Sequence, residues 1–372
     1  MKKRSLAIGL CALSLSMMAS SQVQAAEISM SGLAATVITQ HDSNFGAVSA
    51  DTRDGLFNHF RGTAALANES DLYMTGEIEL NAKQEFGDSY SLNLAAEFYG
   101  FNSSGAGPDV TVQEAYFALG VGNGLIKVGQ FDAFAGVQDN NVQNNISLDY
   151  NVVFTYFTPV SLVGGMGTWN FGMDERHSFD VAIVNRLYPG GFGTVTNVSG
   201  NTAAGGRSAG DSIYPSGLIR YGFNKWGEEG AGTFGISVGG GLENPGSDSD
   251  ITLLGVVDLH APFGNHLIQF EGAVLYNDSA TSSLAYGANA LYGYQWADTG
   301  WGFFVDAGAI LDSDAIMTGS DQTIIDGNLG FSYNLTDNMD LKMQAGANYH
   351  LISGSDNALG YGGAIGLTVK TN

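Results

Sequence analysis

Polar and apolar residues alternate one position at a time along much of this chain. From Leu72 to Ala82 one parity reads Leu72, Met74, Gly76, Ile78, Leu80, Ala82, and the other Tyr73, Thr75, Glu77, Glu79, Asn81. Tyr90, Leu92, Leu94, Ala96 and Phe98 repeat the pattern against Ser91, Asn93, Ala95, Glu97 and Tyr99. Near the other end Met339, Leu341, Met343, Ala345, Ala347 and Tyr349 oppose Asp340, Lys342, Gln344, Gly346, Asn348 and His350. A period of two is that of a strand with two unlike faces. Beyond residue 25 no stretch keeps a 3.6-residue period over a dozen positions or runs 18 apolar residues, which excludes helices that cross a membrane. Cut at turn signals, the pattern predicts sixteen strands, at 27–40, 70–86, 90–101, 109–121, 124–131, 162–173, 177–186, 213–224, 232–243, 250–263, 266–277, 284–296, 301–311, 321–335, 338–351 and 360–371. Short connections at 87–89, 122–123, 174–176, 264–265, 297–300 and 336–337 alternate with longer ones, the longest at 41–69, 132–161 and 187–212.

A soluble sandwich or propeller also alternates, so the placement of aromatic residues decides between the two. Tyr292, Tyr294 and Trp296 end one strand, Trp301 and Phe303 open the next, and Phe331, Tyr333 and Leu335 end another, all beside short turns. A belt of amphipathic rings at one rim belongs at a membrane–water interface. The expected fold is therefore all-β: a transmembrane antiparallel barrel of about 16 strands with short periplasmic turns and longer outer loops. An even strand number suits a closed single-chain bacterial barrel.

Composition adds the compartment. Lys2, Lys3 and Arg4 precede an apolar run from Ser5 to Met18, and Val23-Gln24-Ala25 forms an A-x-A-like cleavage site, the pattern of a secretory signal peptide over 1–25. The remainder, 26–372, reads as a single barrel domain, since no linker divides it. Cys11 is the one cysteine of the 372 residues, so the processed chain has no disulfide or thiol chemistry. Losing Lys2, Lys3 and Arg4 leaves 11 basic residues of 14 against 37 acidic ones, a formal charge of −26 in place of −23. That balance makes nucleic acid an unsuitable partner. The 53 glycines beside six prolines suit many strands in a curved wall.

Val112-Gln113-Glu114-Ala115-Tyr116-Phe117-Ala118-Leu119, then Gly124-Leu125-Ile126-Lys127-Val128-Gly129-Gln130-Phe131, resembles Gram-negative porins, where a strand ending in an E-A-Y-like element meets a tight glycine turn and a strand closing in glycine and a polar residue. With Gly136, Thr158-Pro159 and Val184-Asn185 it is more specifically similar to OmpL-like barrels over about 109–186. The resemblance implies a third loop, about 132–161, that folds inward and narrows the pore, with Asp132, Asp139 and Asp149 among its residues. It also implies a homo-oligomer, commonly a trimer, in outer-membrane lipid and lipopolysaccharide. The chain departs from the pattern twice. It ends Leu367-Thr368-Val369-Lys370-Thr371-Asn372 in place of an aromatic residue read in assembly, and in place of an arginine cluster it offers only Lys83 and Lys127.

Parity places Glu77, Glu79, Glu97, Glu114, Asp180, Asp258, Glu271, Asp306, Asp326 and Asp340 on the inner face, against Lys83, Lys127, Arg220 and Lys342. An acidic lumen favours cations. The expected function is passive diffusion of small polar solutes and ions, weakly cation-selective. The alternatives are a surface barrel with a blocked lumen, such as an adhesin or anchor, and an outer-membrane hydrolase. For the hydrolase, Gly206-Arg207-Ser208-Ala209-Gly210 matches G-x-S-x-G but lacks the strand and helix that expose such a serine. His41, His59, His177, His260, His266 and His350 show no metal spacing. Asp248 with Asp250 and Asp312 with Asp314 fall short of a calcium loop, and solvated charge accounts for them. No cofactor, metal or catalytic residue is expected.

Overall fold

The computed structural model describes residues 26–41, 70–87, 89–99, 109–137, 145–148, 151–159, 161–185, 187, 216–226, 231–244, 250–278, 283–312, 321–354 and 356–370. The leader, the G-x-S-x-G segment, Asp139, Asp149, Asp248 and Asp314 lie outside the described residues. Sixteen strands form one closed antiparallel sheet: β1 (Glu27–His41), β2 (Ser70–Phe86), β3 (Tyr90–Tyr99), β4 (Asp109–Val121), β5 (Gly124–Asp132), β6 (Ser161–Phe171), β7 (His177–Val184), β8 (Ser216–Trp226), β9 (Gly232–Asn244), β10 (Asp250–Phe263), β11 (His266–Asn277), β12 (Ser283–Gln295), β13 (Trp301–Asp312), β14 (Gln322–Thr336), β15 (Met339–Ile352) and β16 (Ala358–Lys370). Each strand pairs with its sequence neighbour, and β1 pairs with β16 from Ser31↔Lys370 to His41↔Gly360, which closes the barrel. All sixteen expected strands are present. Their ends differ from expectation by at most three residues, the largest shift being at the start of β8.

Closure removes both sheet edges, so backbone groups of the wall bond within the wall, as a bilayer requires. Outward side chains are apolar and uncovered while their neighbours are buried: Ile183 is 70% exposed beside Val184 at 3%. Ile78, Leu80, Leu92, Leu94, Val238, Leu253, Val305, Leu329 and Ile365 continue this outer band. Such a surface over a whole barrel is the transmembrane one. The short-turn rim carries the aromatic belt. Tyr294 packs edge-on to Trp296 at 5.6 Å, Trp296 meets Phe303 at 5.6 Å, and Trp301 meets Tyr333 at 4.7 Å between ring centroids.

The porin-like sequence element has a physical basis. A β-bulge on β4 shifts register opposite Ala95/Ala96, and the Gln130 amide donates to the carbonyls of Val112 (2.6 Å) and Gln113 (3.0 Å), satisfying acceptors that the bulge frees. Gly129 beside it has φ +140°, and a Cβ there would run into the Ala115 carbonyl and Tyr116.

Candidate functional site: the barrel interior

The chain between β5 and β6 does not stay at the rim. Its described parts, 133–137, 145–148 and 151–159, run inside the barrel. Here lies a helix the alternation did not show, α1 (Val152–Phe157). Asn151 caps it, its Oδ1 accepting from the Phe154 amide at 2.7 Å. Val152, Val153, Tyr156 and Phe157 of α1 join Phe131, Leu162, Val184, Leu218, Leu254, Val256, Leu275, Ile310 and Ile324 in one buried cluster. The inner faces of β6 to β14 thus contribute apolar side chains to this cluster, with α1 itself packed on β11 to β14. Glycines make the fit: a Cβ on Gly308 would sit 2.7 Å from Val152 Cγ1, and one on Gly287 3.1 Å from Phe157 Cε2. Burying each large apolar side chain of α1 is worth about 1.5–3 kcal/mol.

Polar anchors fasten the same segment. Glu271 on β11 is fully buried and accepts from Thr158 Oγ1 at 2.9 Å and Asn151 Nδ2 at 3.3 Å. Asn151 therefore ties the helix cap to the far wall through the two ends of one amide. On β15, Lys342 Nζ donates to the Asn145 carbonyl at 2.5 Å, and Gln344 Oε1 accepts from the Leu148 amide at 2.7 Å. Beneath them, Gln344 donates to Asn328 (3.0 Å), Asn328 to Asp326 (3.1 Å), and Asn289 to Asp306 (2.6 Å).

A second buried device spans three strands. Arg220 on β8 reaches over Gly235 of β9 and clasps Asp258 of β10 with two nitrogens, Nη2 to Oδ1 at 2.7 Å and Nη1 to Oδ2. A Cβ at Gly235 would occupy the place of that guanidinium. In the next register pairs Asp180 faces Arg220, and Thr168 Oγ1 donates to Asp180 at 2.6 Å.

The inner acids therefore fall into two groups. Asp258 (2% exposed), Glu271 (0%), Asp306 (1%), Asp326, Asp180 and Glu79 are buried. Glu79 accepts from Asn81 at 2.7 Å and Ser31 at 3.2 Å. Half-exposed on the inner side are Glu114 on β4, Asp132 at the end of β5 and Asp340 on β15; of Glu77 and Glu97 only the strand positions are described. Among the bases, Lys342 is buried and Arg220 is engaged, whereas Lys127 is half-exposed with Nζ 4.5 Å from the Tyr116 ring centroid. That cation–π contact is worth about 0.5–1 kcal/mol. Lys83 pairs with Glu85 at 2.7 Å at the short-turn rim. The internal segment packs on the inner wall from β11 to β16, and half-exposed polar side chains stand on the inner face of β3 to β6, at Ser91, Asn93, Glu114, Tyr116, Lys127, Asp132 and Asn170, and elsewhere round the wall at Asn224, His260, Gln269 and Asp340.

Parity assigned these residues to the inner side of the wall, and Asp258, Glu271, Asp306, Asp326, Asp180 and Glu79 are buried there. It missed Asn151 and Thr158, which carry the anchoring; the available signal was an asparagine directly before Val152-Val153-Phe154, an N-cap before an apolar run. Among the described residues no three His, Cys, Asp or Glu side chains are grouped as metal ligands, and no helix is long and apolar enough to cross a membrane.

This architecture is that of outer-membrane channel barrels. No protein-family model and no curated protein matches the chain, but solved structures do. The outer-membrane channel DcaP of Acinetobacter baumannii matches with TM-score 0.61 at 10% identity, covering 93% of this chain and 97% of that one. OprB of Pseudomonas putida gives TM-score 0.60 at 10% identity, with 93% and 94% covered. The anion-selective porin of Comamonas acidovorans gives TM-score 0.58 at 9% identity, with 93% and 100% covered. At these identities the likeness is one of fold.

Proposed function

We propose that the chain is an outer-membrane porin of a Gram-negative bacterium, exported by the signal over 1–25 and passing small polar solutes and ions by passive diffusion. The observation that supports it most is the asymmetry of the interior. On one side the internal segment packs against the inner faces of β11 to β14 through α1, and the opposite wall, β3 to β6, keeps half-exposed polar and charged side chains on its inner face. Solutes move along that wall, where fixed polar groups stand in for part of their hydration and a low-dielectric surround focuses the field of the exposed charges. The preference is weakly cationic, set by Glu114, Asp132 and Asp340 against Lys127, with the positions of Glu77 and Glu97 adding to it. The barrel works within outer-membrane lipid and lipopolysaccharide as a homo-oligomer; an in-vitro folded trimer form is known for OmpT of Vibrio cholerae, whose fold it resembles.

Reversal potentials across planar bilayers in a KCl gradient test the selectivity. Wild type is expected to prefer cations, Lys127→Glu to strengthen that preference, and Asp306→Asn, being sealed, to leave it unchanged; anion preference in wild type contradicts the assignment. The apolar cluster around α1 favours one competing reading, a surface barrel with a closed lumen. Single-channel recording separates them, because a closed barrel gives no conductance steps.

A further inference from the structure

Two outward-facing stations at the short-turn rim share a construction that conduction does not use. In the first, Phe171 ends β6, His177 opens β7 and Phe223 lies on β8, in one register row. His177 stacks on Phe171 (5.3 Å, 17°), and its Nδ1 lies 2.7 Å from Oη of Tyr221, two positions deeper on β8. In the second, Phe263 ends β10, His266 opens β11 and Tyr294 lies on β12 in one row. His266 stacks on Phe263 (5.2 Å, 11°), and its Nδ1 lies 2.7 Å from Oη of Tyr292, again two positions deeper. The connections differ: a five-residue link with a 3-10 turn at Met173–Glu175 in one, the pair Gly264-Asn265 in the other. The repeated geometry is thus not a by-product of one turn type.

Both histidines lie on the lipid side of the wall, in line with exposed Phe179 and Ile183 on β7 and Ile268 and Phe270 on β11. With the phenol as donor to Nδ1, the ring proton sits on Nε2 and the outer edge of the ring is a donor. At His177 that edge faces Gly172, where a Cβ would stand 2.6 Å from Cδ2 and 3.4 Å from Nε2, so glycine keeps the edge approachable. A donor aimed out of the wall at this depth faces the membrane interface, where a headgroup acceptor can take the place of water. Phospholipid phosphates lie there.

We propose that each Phe–His–Tyr station binds the phosphate of one phospholipid headgroup through His Nε2, with the tyrosine as a positioning residue. Arg176 and Lys225 flank the first station and are paired with Asp174 and Glu175, at 3.6 and 4.0 Å. The second station has no charge in its turn, so recognition at both depends on the imidazole. The proposal rests on the barrel's residence in a bilayer and is independent of whether it conducts.

The test is native mass spectrometry of the folded barrel with dioleoylphosphatidylglycerol. Wild type is expected to retain two lipids. His177→Phe with His266→Phe keeps aromatic packing and should lower lipid affinity by about tenfold per station, the loss of one hydrogen bond to a charged acceptor. Tyr221→Phe with Tyr292→Phe should lower it less, and His177→Gln with His266→Gln should restore part of it by returning a donor. If the histidine-to-phenylalanine pair does not fold, the tyrosine and glutamine pairs carry the test. Unchanged retention in all variants overturns the proposal. So does equal retention of phosphate-free dioleoylglycerol, or full displacement of the lipid by millimolar inorganic phosphate, which would mark a free-anion site.

Discussion

Asp258→Ala is expected to cost the barrel about 3–5 kcal/mol, because it leaves the Arg220 guanidinium buried without its carboxylate. Both partners are almost sealed, Arg220 at 11% and Asp258 at 2% side-chain exposure, so water cannot take over the lost bonds. Gly235 gives the arginine its trough across β9, which holds the charge close to the wall with little freedom to swing toward solvent. Urea midpoints of the refolded protein in lipid vesicles measure the effect. Replacing both members together, Arg220→Met with Asp258→Leu, should recover most of the loss, since two apolar side chains of similar size leave no orphaned charge. A single variant as stable as wild type would show that the pair is solvated and contributes little.

Glu271→Ala is the second large change, and its effect is local. The carboxylate is the shared acceptor for Asn151 and Thr158, which bracket α1, and losing it strands two buried donors at about 1–3 kcal/mol each. Asn151 also caps the helix, so the cost passes to α1 and from there to the apolar cluster it completes. The wall itself, held by strand pairing, should persist. Limited proteolysis should therefore cut the variant within 133–159 while its barrel keeps the heat-resistant migration of wild type, and single-channel conductance should become larger and noisier. Glu271→Gln, which keeps one acceptor oxygen, should sit between the two. An uncut segment in the alanine variant would contradict the anchoring role.

The barrel was legible because a lipid-facing wall leaves a mark at every second residue. Ile183 and Val184 lie side by side in sequence and on opposite faces, and β10 and β11 fall at the residues the alternation marks. What parity cannot carry is the cover. It places Glu271 inside, yet whether inside means water or packing depends on Asn151, 120 residues away. The polar residues of 132–161 suggest a hydrated loop, whereas its apolar residues Leu148, Val153 and Phe157 make the contacts that seal the wall. A six-residue helix is also too short to print a 3.6-residue period, so α1 could be found only through its cap. Glycines blur the glycine-rich β16, where Gly360, Gly362, Gly363 and Gly366 show no face, and its start is displaced by two residues from expectation.

The interior asymmetry separates two kinds of inner charge that a residue count merges. Asp258, Glu271 and Asp306 act on the fold, holding strands and the internal segment together. Glu114, Asp132 and Lys127 are the half-exposed inner charges that the proposed permeation path would use. Engineering of permeation therefore belongs on β3 to β6, and changes beneath α1 should alter stability first.

Cysteine scanning tests the central claim most directly, since Cys11 is the one cysteine of the full chain and residues 26–372 give a blank background. Single cysteines at Asn81, Ser91, Asn93 and Asn170, on the inner side, should react with a membrane-impermeant thiol reagent in reconstituted vesicles. Cysteines at their neighbours Leu80, Leu92, Leu94 and Trp169 should react only with a lipid-soluble one. Equal labelling of both sets by the impermeant reagent would mean that the outer band faces water, and a water-filled passage inside a lipid-embedded barrel would no longer be tenable.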